Sequence, residues 1–358
     1  DLGIALSILS AAGQIEIPQF TSFECIGELA LSGQIRPVGG TLPAALAVSA
    51  DDRLLVIAEG DAAEASLVSD LKIAPAKSLR ALCEILDRGA DAQSLFAHGE
   101  VNRDVRPCVA SRAEADLAEI GGQKNAKRAL EIAAAGAHNL AMLGPPGTGK
   151  SMLATRFNSL LPMLTESEAF ESAKIWSVSR QRFDVANWRE RPFRAPHHTA
   201  SSAAIIGGGT TPHPGEVSLS HQGVLFLDEL PHFDKRVLEV LREPLETGQV
   251  TISRAASSAT FPANFQLLTA MNPCPCGYYG DPSNRCICRA DQIERYLQRL
   301  SGPLIDRLDI HIEVPRDQSW LSAHKPQAAE SSAIVAKRVA QARTIQLSRQ
   351  RTLNHHLT

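Results

Sequence analysis

Gly144-Pro145-Pro146-Gly147-Thr148-Gly149-Lys150-Ser151 fits G-x-x-x-x-G-K-[S/T], and its flanks confine this part of the chain to a strand–loop–helix unit. Residues 139–143 are a short apolar run that predicts a buried strand, and residues 151–161 predict the helix after the loop. In such a unit, backbone N–H groups and a helix N-terminus converge on phosphate oxygens. Lys150 then supplies a cation at the outer phosphates and Ser151 a hydroxyl for Mg²⁺. The plain alternative is a Gly/Pro-rich surface turn, which does not require a strand before it and a helix after it. The chain is expected to bind a nucleoside triphosphate.

A length of 358 residues suggests about two domains. A formal charge of −3 excludes a global basic field, so nucleic-acid binding would have to use local basic loops. The longest apolar runs are far short of a membrane span and no basic-then-apolar leader opens the chain, so a cytoplasmic protein without membrane contact is expected. Residues 1–6 read like the interior of a folded element, as if the first domain were N-terminally incomplete.

Residues 26–31 and 34–38 read as strands, 42–49 as a helix, 54–57 as a buried strand, and 61–67 and 78–86 as helices. Apolar periodicity fades over residues 89–115, the expected linker. A second unit opens at Asp116 with an Ala-rich helix over 123–135 and runs into the phosphate loop. Further on, Gly223-Val224-Leu225-Phe226-Leu227 ends in Asp228-Glu229. Two carboxylates at a strand's end suit a hydrolysis site, one holding the Mg²⁺ shell and the other orienting and deprotonating water. Solvated strand-end acids are the alternative, which the upstream phosphate loop disfavours. Residues 265–271 read as another strand, ending in Asn272; 294–300 and 328–350 read as helices.

Seven cysteines are an odd number, and four of them crowd into Cys274-x-Cys276 and Cys286-x-Cys288, against a secreted disulfide framework. Two close pairs across a turn can give Zn²⁺ four thiolates; reduced thiols or two disulfides are the alternatives. Cys25, Cys83 and Cys108 read as small buried hydrophobes. Residues 180–222 form a basic, Gly-rich segment with Arg189, Arg191, Arg194, His197 and His198 followed by Gly207-Gly208-Gly209. A hairpin is expected around Gly248, with strands over 250–253 and 259–261 and Arg254 near its tip.

Several segments together resemble a known group. Ala195-Pro196-His197-His198-Thr199, Leu225-Phe226-Leu227-Asp228-Glu229-Leu230-Pro231, Leu241-Arg242-Glu243-Pro244-Leu245-Glu246, Met271-Asn272-Pro273-Cys274-Pro275-Cys276-Gly277 and Ser301-Gly302-Pro303-Leu304-Ile305-Asp306-Arg307 are similar to the magnesium-chelatase-like AAA+ proteins of the ComM/YifB family. The resemblance covers essentially the whole chain. It implies an α/β fold with an AAA+ P-loop domain on a parallel sheet over 116–316, and the start of a C-terminally incomplete helical lid over 317–358. It also implies a homo-hexameric, ATP- and Mg²⁺-dependent ring that migrates DNA branches during natural transformation, with single-stranded or branched DNA and recombination proteins as partners.

By the same resemblance, Lys150 and Ser151 are the Walker A phosphate and magnesium residues, Asp228 and Glu229 the Walker B pair, and Asn272 the sensor that reaches the γ-phosphate or attacking water. Arg307 is an arginine finger offered to a neighbouring subunit, or else pairs within the chain with Asp306 or Asp309. Arg343 is the candidate second sensor of the lid. The basic segment and the hairpin correspond to loops lining a ring's pore, where Arg194, His197, His198 and Arg254 would contact DNA backbone; the histidines equally suit a local hydrogen-bond network. The rival reading is a chelatase-like ATPase that remodels a protein partner; a nonmotor protein held by zinc is a third.

Residues 1–88 resemble the Lon protease domain through Gly27-Glu28-Leu29-Ala30-Leu31-Ser32-Gly33-Gln34-Ile35-Arg36-Pro37-Val38-Gly39-Gly40. Asp1 stands where that fold needs its nucleophilic serine and Leu42 where it needs its lysine, so an inactive scaffold is expected.

Overall fold

The computed structural model describes residues 1–15, 23–87, 115–179, 181, 183–254, 257–282, 284–316 and 330–357. The expected linker, Cys108 and the first part of the expected lid lie outside the described residues, apart from residue 115. The chain forms two compact units, one of residues 1–110 with 173–188, the other of residues 111–172 with 189–358.

In the first unit, helix α1 (Leu2–Ala11) is followed by strand β1 (Phe23–Ile26), a hairpin of β2 (Glu28–Leu29) and β3 (Ile35–Arg36), and helix α2 (Thr41–Ala50). Strands β4 (Leu54–Ala58) and β5 (Lys72–Ala76) and helix α3 (Leu79–Asp87) complete it. β1, β4 and β5 pair in parallel with β4 central, and every residue of β4 is buried, as a strand covered on both faces must be. Leu2 and Leu6, one helical turn apart, join Val56, Ala58, Leu82 and Leu86 in its core.

The expected strand over 26–31 is divided at Gly27. A Cβ there would lie 2.7 Å from Ile35 Cγ2, so the chain passes tightly from the sheet into the hairpin. β5 was not anticipated because it contains Pro75; at the sheet edge, a missing N–H costs no ladder bond. Leu42 is fully buried, and its N–H donates to Glu64 Oε1 (3.1 Å) and Ser177 Oγ (3.3 Å).

The second unit begins with helix α4 (Lys124–Gly136), strand β6 (Leu140–Leu143), helix α5 (Lys150–Phe157) and helix α6 (Glu166–Ser177), whose residues from 173 on belong to the first unit. The basic segment contributes β7 (Phe193–Arg194) and the two-residue strands β8 (Gly207–Gly208) and β9 (His213–Pro214). Then come β10 (Val224–Leu227), helices α7 (Lys235–Val240) and α8 (Arg242–Thr247), hairpin strands β11 (Gln249–Ser253) and β12 (Ser258–Pro262), and β13 (Gln266–Met271). Helix α9 (Ala290–Leu297), strand β14 (Ile310–Glu313) and helix α10 (Ser332–Gln350) follow.

Five strands form one sheet in the order β14-β6-β13-β10-β7, with every pairing parallel. Alternate residues serve opposite faces. Leu140, Met142, Phe226 and Leu268 pack with Leu130, Leu153, Phe157, Val335 and Val339, whereas Ala141, Leu225, Leu227 and Leu267 pack with Ile205, Leu238, Leu241 and Leu304. Both faces are therefore covered. The chain visits β7, β10 and β13 on one side of β6 and then crosses to β14 on the other, so β6 stands where the order reverses. In open parallel sheets, that reversal opens a ligand crevice at the strands' C-terminal ends.

Arg343, on α10, is buried, and its guanidinium donates to Ala134 O (2.8 Å) and Gln266 Oε1 (3.5 Å). Gln266 opens β13 and Asn272 follows its end, about 20 Å away at ~3.3 Å per residue. Arg343 thus ties α10 to the far edge of the sheet, where it cannot sense a nucleotide bound by the same chain.

Candidate active site

The parallel registers bring three strand ends to one edge: Leu143 beside Met271, and Leu227 beside Thr269. The residues just after them, in the phosphate loop, at Asn272 and at Asp228-Glu229, therefore meet although they are far apart in sequence. Gly147 and Gly149 have φ of 77° and 90°, a backbone that favours glycine and turns the loop into the N-terminus of α5. A Cβ at Gly144 would fall 2.2 Å from Val314 O, so only glycine lets the loop start this close to the chain after β14.

Lys150 is buried, and its ammonium donates to Gly144 O (2.6 Å), Pro145 O (2.9 Å) and Asn272 Oδ1 (3.2 Å). Burial lowers its pKa below the usual lysine range, against the pull of Asp228. Ser151 Oγ donates to Asp228 Oδ2 (2.5 Å), and the Glu229 N–H donates to Asp228 Oδ1 (2.8 Å). A hydroxyl and a carboxylate in contact are the donor set Mg²⁺ takes beside phosphate oxygens. Glu229 has φ 53°, rare for a residue with a side chain, and this turn points the carboxylate away from β10 toward His198, whose Nδ1 is 3.4 Å from Glu229 Oε2.

The remaining sequence candidates lie elsewhere. Arg307 precedes β14 at the opposite edge: its carbonyl accepts from Asn139 Nδ2 (2.9 Å) and its guanidinium pairs with Glu246 Oε1 (2.6 Å). β6 separates it from the phosphate loop by about 13 Å at ~3.3 Å per residue. Arg194 makes a two-pronged pair with Glu216 (2.6 and 2.8 Å). Arg191 donates to Pro162 O and Gln222 O and lies 3.4 Å from Glu168. His197 is exposed, its Nδ1 2.9 Å from Thr199 Oγ1, and its ring lies 4.1 Å from that of His198. Arg254 is exposed at the β11–β12 turn.

Sequence reading missed the ring series that leads from Glu229 to Asn272. His198, His232 and Tyr296 follow one another at 5.9 and 6.0 Å, and Tyr296 takes a hydrogen bond from the Asn272 backbone. Burial, then nearby Cys274 and Glu229, push Tyr296 up to about 12. The sequence signals were His198 within residues 195–199 and His232 directly after residues 225–231.

The four clustered cysteines converge, all four sulfurs lying within 4.8 Å of one another. Sγ separations are 3.4 Å (Cys274–Cys276), 3.8 Å (Cys274–Cys286) and 3.7 Å (Cys276–Cys286), too long for a disulfide. Backbone N–H groups of Ile287 and Tyr278 draw the Cys276 thiol down to about 6.

Sheet order, phosphate loop and strand-end carboxylates define a P-loop domain of the AAA+ type. Residues 116–320 match the family described as "Magnesium chelatase, subunit ChlI", and residues 1–61 match "Subunit ChlI of Mg-chelatase". The chain is 47% identical over 357 residues to "Competence protein ComM" of Haemophilus influenzae, covering 100% of this chain and 69% of that protein. It is 44% identical over 354 residues to Escherichia coli YifB, covering 99% and 68%. The "Magnesium-chelatase 38 kDa subunit" of Cereibacter sphaeroides is 24% identical over 176 residues, covering 43% and 51%. The chain belongs to the ComM/YifB family of magnesium-chelatase-like AAA+ proteins. Among the described residues, no helix is long and apolar enough to cross a membrane.

Proposed function

We propose that this chain hydrolyses ATP in a homo-hexameric ring and that the cycle moves single-stranded or branched DNA during the uptake and recombination of incoming DNA. The observation that carries the reading is the meeting of Lys150, Ser151, Asp228, Glu229 and Asn272 at the sheet's reversal point while Arg307 sits at the opposite edge. Each chain thus holds a phosphate site at one edge and a cation for another chain's site at the other.

ATP is the substrate. Lys150 and the loop N–H groups bind its outer phosphates, and Asn272 orients the terminal one. Ser151 and Asp228 would hold Mg²⁺, which supplies charge neutralisation on the phosphates when bound. Glu229 takes the proton from the attacking water, and His198 fixes the carboxylate's direction. A partner chain's Arg307 leaves Glu246 to stabilise the charge that develops on transfer.

The name of the Haemophilus relative, a competence protein, supports the DNA role, as does the exposed Arg254 at a hairpin tip. Arg194, spent on Glu216, and His198, turned to Glu229, serve the ring's architecture and chemistry rather than DNA. Leu42, buried where a lysine base would be needed, supports reading the first unit as a Lon-like scaffold without protease chemistry. The match to a chelatase subunit favours one rival, a motor that remodels a protein partner. ATP-dependent branch migration on forked DNA, with a Lys150→Ala control, tests the reading: turnover that only a protein partner stimulates supports the rival.

A further inference from the structure

The four-cysteine loop is joined to the nucleotide site at several points. Cys274 lies two residues beyond Asn272, the residue whose Oδ1 accepts from Lys150. Gly277, with φ 85°, passes so close to the phosphate loop that a Cβ would sit 2.7 Å from Pro146 Cδ and 3.7 Å from Asn272 Cγ. Arg316 joins the same two regions, lying 3.5 Å from Asp281 within the loop and donating to Pro146 O (3.4 Å). The guanidinium groups of Arg285 and Arg316 both lie over the Tyr278 ring, at 4.4 and 5.7 Å.

The sulfur geometry suits one ion. Zn–S bonds of ~2.3 Å in a tetrahedron put sulfurs ~3.8 Å apart; the separations among Cys274, Cys276 and Cys286 are 3.4 to 3.8 Å, and Cys288 Sγ lies within 4.8 Å of all three. The Tyr279 N–H donates to Cys274 Sγ (3.3 Å), the kind of backbone contact that steadies a metal thiolate. Four soft donors select Zn²⁺ over Mg²⁺.

We propose that Cys274, Cys276, Cys286 and Cys288 hold one Zn²⁺, and that the loop so tied is the positioning element for Asn272 and Pro146, setting the rate of hydrolysis rather than the capture of nucleotide. Asn272 and Gly277 lie on either side of Cys274 and Cys276. Untied, the loop releases the sensor and the strut on the phosphate loop together, while Lys150 and α5 still hold the β-phosphate that ADP and ATP share. The role rests on the ATPase reading above; the metal site does not.

The experiment compares the wild-type chain, Cys286→Ser/Cys288→Ser, and Gly277→Ala. Metal content, the absorption of Co²⁺-substituted protein, affinity for ADP and for a non-hydrolysable ATP analogue, and kcat are measured on each. The wild type is expected to hold one Zn²⁺ per chain and, with Co²⁺, to show thiolate charge-transfer bands that the serine variant lacks. The serine variant should lose about tenfold or more in kcat and bind the analogue more weakly relative to ADP, with ADP affinity unchanged. Gly277→Ala should keep its metal and show the same two losses. A metal-free wild type overturns the proposal. So does a folded serine variant with unchanged kcat and analogue-to-ADP ratio, or one that loses ADP binding and its circular dichroism together. If the wild type hydrolyses nothing, the ATPase reading fails, while the analogue-to-ADP ratio still decides this one.

Discussion

His198 Nδ1 stands 3.4 Å from Glu229 Oε2, so a residue that local charge suggested for DNA backbone faces the carboxylate proposed to activate water. Glu229 leaves β10 in a left-handed conformation, and the histidine is what its side chain meets. His198→Ala should lower kcat by about 10- to 100-fold and leave the salt dependence of single-strand binding unchanged. Steady-state ATPase and a salt titration check this; a changed salt slope with normal turnover would return His198 to the DNA surface.

Glu229→Gln keeps the backbone N–H that donates to Asp228 but removes the proposed base. Binding of a fluorescent ATP should persist while phosphate release slows by at least ~10². Turnover at the wild-type rate would falsify the assignment.

Arg307 lies too far from its own phosphate loop to serve it. Arg307→Ala should cost about 10³-fold in kcat, and mixing it with Lys150→Ala should restore part of the activity, because each variant retains what the other lacks. If mixtures stay as inactive as the separate variants, Arg307 is only an ion-pair partner of Glu246.

His221 is buried, and its Nδ1 accepts the Asn264 N–H (3.0 Å), so that nitrogen must be unprotonated. Burial lowers its pKa, with Glu171 (3.5 Å from Nε2) and Glu168 opposing. Because the folded pKa lies below the unfolded ~6.5, the unfolded chain binds more protons between the two values, and stability falls as pH drops through that window. His138 and His356 shift the same way, chiefly through burial. Tm should fall between pH 7 and pH 5, and less so in His221→Asn, whose amide oxygen can replace Nδ1. Parallel profiles for the two proteins would rule out His221 as a source of the acid sensitivity.

Much of the second unit's sheet was legible because β6, β10 and β13 are short apolar runs that lead into candidate site residues. β6, β10 and β13 fall within a residue of the expected spans, β11 begins one residue before its own, and β12 extends one residue beyond its own at each end. The unexpected elements lacked such a signal. Pro75 disguised β5, and α6 carries the mixed sequence Glu166–Ser177 with no apolar run. At the site, spacing could not show that Arg194 would meet Glu216 or His198 meet Glu229, because these contacts are fixed by the parallel register of β7 on β10. Charge counting saw cations; only the fold shows which are already paired.

Lys150 and Arg307 at opposite ends of the same strands give the chain a direction. In a twofold pair, a contact of one copy's phosphate loop with the other's arginine is repeated by the symmetry, so such a pair closes on itself. Repeated head-to-tail contact instead stays open, and a string of such contacts leaves one unserved loop at its leading end and one idle arginine at its tail. In the proposed ring, joining those ends would put every copy to work and would make each copy's failure a fault in its neighbour as well.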